Sequence, residues 1–127
     1  MADPLPPPSL FLRIRFGGDD MIGPGKAALL DRIALTGSIA AAARDLGMSY
    51  KRAWMLIETL NAMFDRPLVE SSRGGTGKGG AVLTDRGREV LAEFRAVERS
   101  ATTHAAPHLT RLQGWLRKNG EKVRLAD

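Results

Sequence analysis

The sequence of 127 residues contains no cysteine. Neither a disulfide framework nor a thiolate metal site can therefore be built from it. It also lacks any apolar run near the roughly 18 residues that a transmembrane helix requires. Its first residues, MADPLPPPSLFLRIRF, do not place a basic segment ahead of an apolar one. No secretory signal is expected, and the expected compartment is the cytoplasm. Catalytic raw material is scarce as well: there is no evident nucleophile–base pair, carboxylate dyad or metal cluster, so neither enzymatic activity nor a cofactor is expected. Acidic residues are outnumbered, with 14 Asp and Glu against 19 Lys and Arg and a net charge of +5. That balance favours an anionic partner without naming it. The length suits one domain with one modest core.

The most organised stretch runs from Ser38 to Phe64. Ser38 is a favoured N-cap residue and Gly47 a favoured residue just past a helix end. Between them Ile39, Ala43 and Leu46 form an apolar stripe at steps of four and three, and the alanines from Ala40 to Ala43 have high helix propensity. Only Met48 separates Gly47 from the next cap residue, Ser49. A short, glycine-containing turn between two helices is the helix-turn-helix signature. On the second helix, about residues 49–64, Ala53, Ile57, Leu60 and Phe64 share one side, while Lys51, Met55 and Thr59 share the other. Ser49, Tyr50, Lys51 and Arg52 occupy the first turn, the part of a recognition helix that reaches base edges. Cations there oppose the helix dipole by a few tenths of a kcal/mol each, a cost that a docked polyanion reverses. The plainer alternative is that Lys51 and Arg52 are simply solvated.

The chain around this unit divides into three parts: a Pro-rich N-terminus over 1–9, a winged helix-turn-helix domain over 10–106, and a short helix with a polar tail over 107–127. The expected fold class is mainly α with a small β-hairpin. Leu10 to Phe16 alternate as a half-buried strand that Gly17 to Asp20 end as a turn. The neighbouring carboxylates Asp19 and Asp20 fit a solvated turn better than acid/base chemistry. A helix opens at Pro24, buries Leu29, Leu30, Ile33 and Ala34, and stops at Gly37. Residues 68–71 and 81–84 read as two short strands joined by RGGTGKGG, residues 73–80, in which Arg73 and Lys78 are the only charges. A hairpin with a glycine-rich basic tip after a helix-turn-helix is a wing, whose Arg73 and Lys78 are expected on the sugar-phosphate backbone or in the minor groove. Gly75, Gly77 and Gly80 match G-x-G-x-x-G, but a strand and not a helix follows, and Gly79 stands where a Walker A loop needs Ser or Thr.

Thr84 caps a long helix whose Val90, Leu91, Phe94, Val97 and Ala101 form an apolar seam, read as a dimerisation surface. The alternative is that the seam covers its own domain. Pro107 is expected to interrupt that helix, with Leu109, Leu112, Trp115 and Leu116 forming a last short one. His104 and His108 are four apart, but no third metal ligand accompanies them.

The segments TGSIAAAARDLGMSYKRAWMLIETLN and GGTGKGGAVLTDRG closely resemble the N-terminal DNA-binding domain of the molybdate-responsive, ModE-type transcription regulators, relatives of the LysR winged-helix group. The similarity covers roughly Leu10 to Ser100. It implies a homodimer on a palindromic operator, double-stranded DNA as partner, and control of genes for molybdate uptake or molybdenum enzymes. It places Ser49, Tyr50, Lys51 and Arg52 on the major-groove helix and Arg73 and Lys78 in the wing; Ser38, Met55 and Thr59 complete the expected DNA-facing set. Only about twenty residues follow Pro107, too few for the family's C-terminal oxyanion-binding region, so molybdate binding by this chain is not expected. The rival class is a winged-helix protein-interaction module without specific DNA binding.

Overall fold

A computed structural model describes residues 6–72 and 80–117 of the chain. Two short hairpins and four helices follow in the order β1 (Ile14–Gly17), β2 (Asp20–Ile22), α1 (Pro24–Thr36), α2 (Ile39–Asp45), α3 (Tyr50–Met63), β3 (Val69–Ser72), β4 (Gly80–Leu83) and α4 (Asp85–Gly114). This is a mainly helical winged-helix architecture.

The N-terminal strand differs from expectation in extent and company. Leu10, Leu12 and Ile14 are half-buried and Phe11, Arg13 and Arg15 exposed, as alternation requires, but ladder pairing begins only at Ile14. The turn after it does not release the chain. Gly17 and Gly18 take φ of 137° and 54°, values that suit glycine, and the chain folds back as β2 with Ile14 opposite Ile22. The register shifts between Arg15 and Gly17, so Phe16 leaves the alternation and sets its ring edge-on to Phe64 at 6.2 Å.

Pro24 opens α1 and Gly37, at φ 68°, closes it. Ala27, Leu29, Leu30 and Ile33 are fully buried. Ala34, expected beside them, shares the side of Ala27 and Leu30 but lies in the last turn of α1, where it is exposed together with Leu35 and Thr36. Around these residues gather Ala42 and Ala43 of α2, Ala53, Ile57 and Leu60 of α3, Leu68, Val69, Ala81 and Leu83 of the second hairpin, and Phe94 of α4. Antiparallel pairing from Val69–Leu83 to Ser72–Gly80 builds that hairpin. The Gly37 carbonyl accepts the Ala81 N–H at 3.0 Å, tying β4 to the end of α1.

The expected break at Pro107 is absent: α4 runs 30 residues straight through it, and the division placed between 106 and 107 falls inside this helix. Proline removes one intrahelical donor and frees the Thr103 carbonyl, but Thr103 and Pro107 are both exposed, so solvent can satisfy it. His104 and His108 remain on this helix with other partners: His104 Nδ1 donates to the Ser100 carbonyl at 2.8 Å, and His108 Nδ1 meets Arg111 at 3.1 Å. No helix among the described residues is long and apolar enough to cross a membrane.

Candidate nucleic-acid interface

Local chemistry sets the angle between α2 and α3. The Ser38 hydroxyl oxygen accepts the Ala41 N–H at 3.1 Å and starts α2. At its far end the Met48 N–H reaches the Ala43 carbonyl at 3.0 Å and the Gly47 N–H reaches that of Arg44 at 3.1 Å. With Gly47 at φ 67°, this paired arrangement is a Schellman stop. Two residues later Ser49 accepts the Arg52 N–H at 3.1 Å and starts α3. One apolar side of each helix is then spent on the other and on α1, and the outward side of α3 is fixed in space.

On that outward side Ser49, Tyr50, Lys51, Arg52, Met55 and Thr59 are all exposed, whereas Ser38 is half-buried. Tyr50 leans edge-on against Trp54, with ring centroids 6.4 Å apart. The Thr59 hydroxyl donates to the Met55 carbonyl at 2.9 Å, leaving its oxygen as an acceptor. Ser38 and Ser49 use an oxygen lone pair for capping and keep their O–H free to donate. Among the described residues, no carboxylate lies within 4.0 Å of Lys51 or Arg52. The face therefore offers two unpaired cations, hydroxyl donors and a 59 % exposed Met55 suited to a thymine methyl group. Ser49→Ala should lower stability by about 1 kcal/mol through the lost cap; an unaltered thermal melt would place the start of α3 elsewhere.

Two contacts that sequence reasoning missed hold the hairpin beside α3. Asn61 Oδ1 accepts the N–H groups of Leu68 at 2.7 Å and Val69 at 3.1 Å, while its amide donates to the Val69 carbonyl at 3.0 Å. Arg86 of α4 grips Asp65, just past α3, through two bonds of 3.0 and 3.1 Å. That hydrogen-bonded guanidinium holds the Asp65 carboxyl below its ordinary range. A single polar residue in or just past the last turn of a helix, half-buried at Asn61 and exposed at Asp65, gives no sequence signal for either contact.

The wing residues Arg73 and Lys78 lie outside the described residues. The apolar seam of α4 has two fates. Phe94 is 3 % exposed within its own core, with Val90 and Leu91 packed beside it. Ala101 is half-buried, and Val97 is 42 % exposed. Val97 borders an apolar groove of about 390 Å³ with Ile14, Phe16, Phe64 and Val90.

Residues 26–88 match the bacterial regulatory helix-turn-helix protein, lysR family. The chain is 41 % identical over 91 residues to the molybdenum-pterin-binding protein MopA of Rhodobacter capsulatus, covering 72 % of this chain and 34 % of that protein. It is 47 % identical over 68 residues to the DNA-binding transcriptional dual regulator ModE of Escherichia coli, covering 54 % and 26 %. Residues 26–88 thus form a helix-turn-helix unit of the lysR-family kind, in a chain similar to ModE-type proteins. A third relative, the molybdenum transport protein ModE of Herbaspirillum seropedicae, is 49 % identical over 72 residues, covering 57 % and 27 %. The chain thus spans between a quarter and about a third of the length of these relatives. The family match contains both helices of the motif, the second hairpin and the start of α4, so the capped turn, α3 and the Asn61 clamp all lie inside it.

Proposed function

We propose that the chain is the DNA-binding unit of a transcription regulator, with α3 seated in the major groove. The observation that carries this is the outward face of α3: Lys51 and Arg52 unpaired in its first turn, beside Tyr50, Met55 and Thr59, on a helix held rigidly from behind. Such a face combines phosphate attraction with groups that distinguish base edges. Ser38, at the start of α2, supplies a hydroxyl to the flanking backbone. The wing reaches the adjacent backbone or minor groove through Arg73 and Lys78. A symmetric pair of chains would set two such helices about 34 Å apart on a palindromic operator. The exposed Val97 and its apolar groove support pairing through α4. The names of the relatives support a regulon concerned with molybdenum, such as molybdate uptake or molybdenum-enzyme genes.

Binding to genomic duplex fragments, measured by gel shift at two salt concentrations with and without molybdate, tests the whole reading. Affinity should fall steeply with salt. Loss of Lys51 or Arg52 as alanine should cost about 1–3 kcal/mol at the cognate site and less on random duplex. Equal losses on both would reduce these side chains to phosphate anchors. Retention of a protein partner with no duplex shifted would instead make the domain an interaction module.

A further inference from the structure

The cations among the described residues fall into two groups. Arg32, Arg86, Arg88 and Arg95 each lie within 4.0 Å of a carboxylate, and all but Arg32 belong to α4. The remaining described cations, Arg13, Lys26 and Arg52 among them, have no such partner. These three come from separate elements, the segment before β1, α1 and α3, yet all line one cleft of about 490 Å³ beside the first turn of α3. Phe11, Met21 and Met48 complete much of its wall, and no carboxylate lines it.

Gathering three cations without a counter-ion costs electrostatic energy, and the local geometry adds to that cost. The Arg13 stem lies over Gly23, where an added Cβ would stand 3.0 Å from Arg13 Cγ. Gly23 precedes α1, whose start has no side-chain cap and no acidic residue in its first turn. Lys26 is half-buried, and its ammonium donates to the Met21 carbonyl at 2.6 Å, with Met63 Sδ 3.9 Å away. An ammonium has three donors, so capacity for an anion remains. Arg52 joins this cleft to the outward face of α3.

We propose that this cleft is a seat for a backbone phosphate of the same duplex, with Arg13 and Lys26 as contacts additional to those of α3. The inference rests on α3 entering the major groove, since only then does a phosphate of the flanking strand run past Arg52 into the cleft. Arg13 is the informative position, because it is exposed and makes no hydrogen bond to the rest of the chain among the described residues.

The experiment measures, by fluorescence anisotropy across a salt series, affinity of the full chain for a mixed-sequence 30-bp duplex. Arg13→Gln should reduce the slope of log affinity against log salt by about one, and Arg13→Gln with Lys26→Gln by about two. Arg111→Gln, a charge removed far along α4, should leave the slope unchanged. The seat is overturned if Arg13→Gln keeps the wild-type slope while Lys51→Gln lowers it, a result that leaves the α3 reading standing. It is equally overturned if Arg111→Gln lowers the slope as much as Arg13→Gln, because net charge alone then accounts for the effect. Absence of any salt-dependent duplex binding by the wild type defeats the seat and the α3 reading together. Should Lys26→Gln fail to fold, the single variant Arg13→Gln decides the question alone.

Discussion

Gly87→Ala should destabilise the domain by about 2 kcal/mol, lowering the thermal midpoint by roughly 10 °C. Alanine normally improves a helix by up to about 1 kcal/mol over glycine, so the expected sign is opposite to propensity. Gly87 is buried in the first turn of α4. A Cβ there would penetrate the Leu68 carbonyl oxygen and lie 3.0 Å from the Leu68 carbonyl carbon and 3.3 Å from its Cα. These are backbone atoms and cannot rotate aside. The same Leu68 carbonyl accepts the Thr84 N–H at 2.9 Å, and Thr84 Oγ1 donates to the Pro67 carbonyl at 2.6 Å while accepting the Gly87 N–H at 3.0 Å. Pushing Leu68 away therefore strains the cap of α4 as well as the clash itself. Overpacking of this kind sits at the upper end of its usual range, about 3 kcal/mol before the propensity gain. Chemical denaturation of the variant measures it, and stability equal to or above wild type would show that Leu68 and α4 are not in contact.

What could be read from the sequence, and what could not, follows the range of the interactions. Ser38, Ser49 and Thr84 each cap through a bond to an N–H three residues on. Gly37 and Gly47 act within one turn of the chain, so each helix boundary around the motif was legible. The outward face of α3 was legible too, because a 3.6-residue period separates Lys51, Met55 and Thr59 from Ala53, Ile57 and Leu60 without reference to any other element. The three-residue strand β2 carries no periodic signal, and only its pairing with Ile14 reveals it. Pro107 misled because its cost depends on exposure: a freed carbonyl is tolerable at a solvated site and damaging at a buried one. The cleft of Arg13, Lys26 and Arg52 was beyond sequence reasoning, since it assembles positions 13 and 26 residues apart through the reversal at Gly17 and Gly18. Likewise, the seam of α4 looked uniform in sequence but divides between the domain's own core at Phe94 and an open groove at Val97.

A missed interaction of shorter span, seven to eight residues, supports the second large prediction. Asn61→Ala should cost about 3 kcal/mol, because it strands three backbone groups at once. Leu68 is fully buried and Val69 5 % exposed, so water compensates poorly for the lost N–H and carbonyl partners. Asn61→Asp separates the contributions. Its carboxylate can still accept both N–H groups, but a second oxygen then faces the Val69 carbonyl with no proton to offer. Aspartate should therefore destabilise less than alanine below its own pKa, where protonation restores a donor, and lose that advantage as the carboxyl ionises. The measurement is a pair of denaturation series at low and neutral pH, together with amide exchange at Leu68 and Val69. Rapid exchange confined to those two amides in Asn61→Ala, with α3 still protected, would show that Asn61 fixes the hairpin to α3 and is not needed for the helix itself. Wild-type protection at both amides would remove Asn61 as the link, leaving the Arg86–Asp65 pair to orient the hairpin.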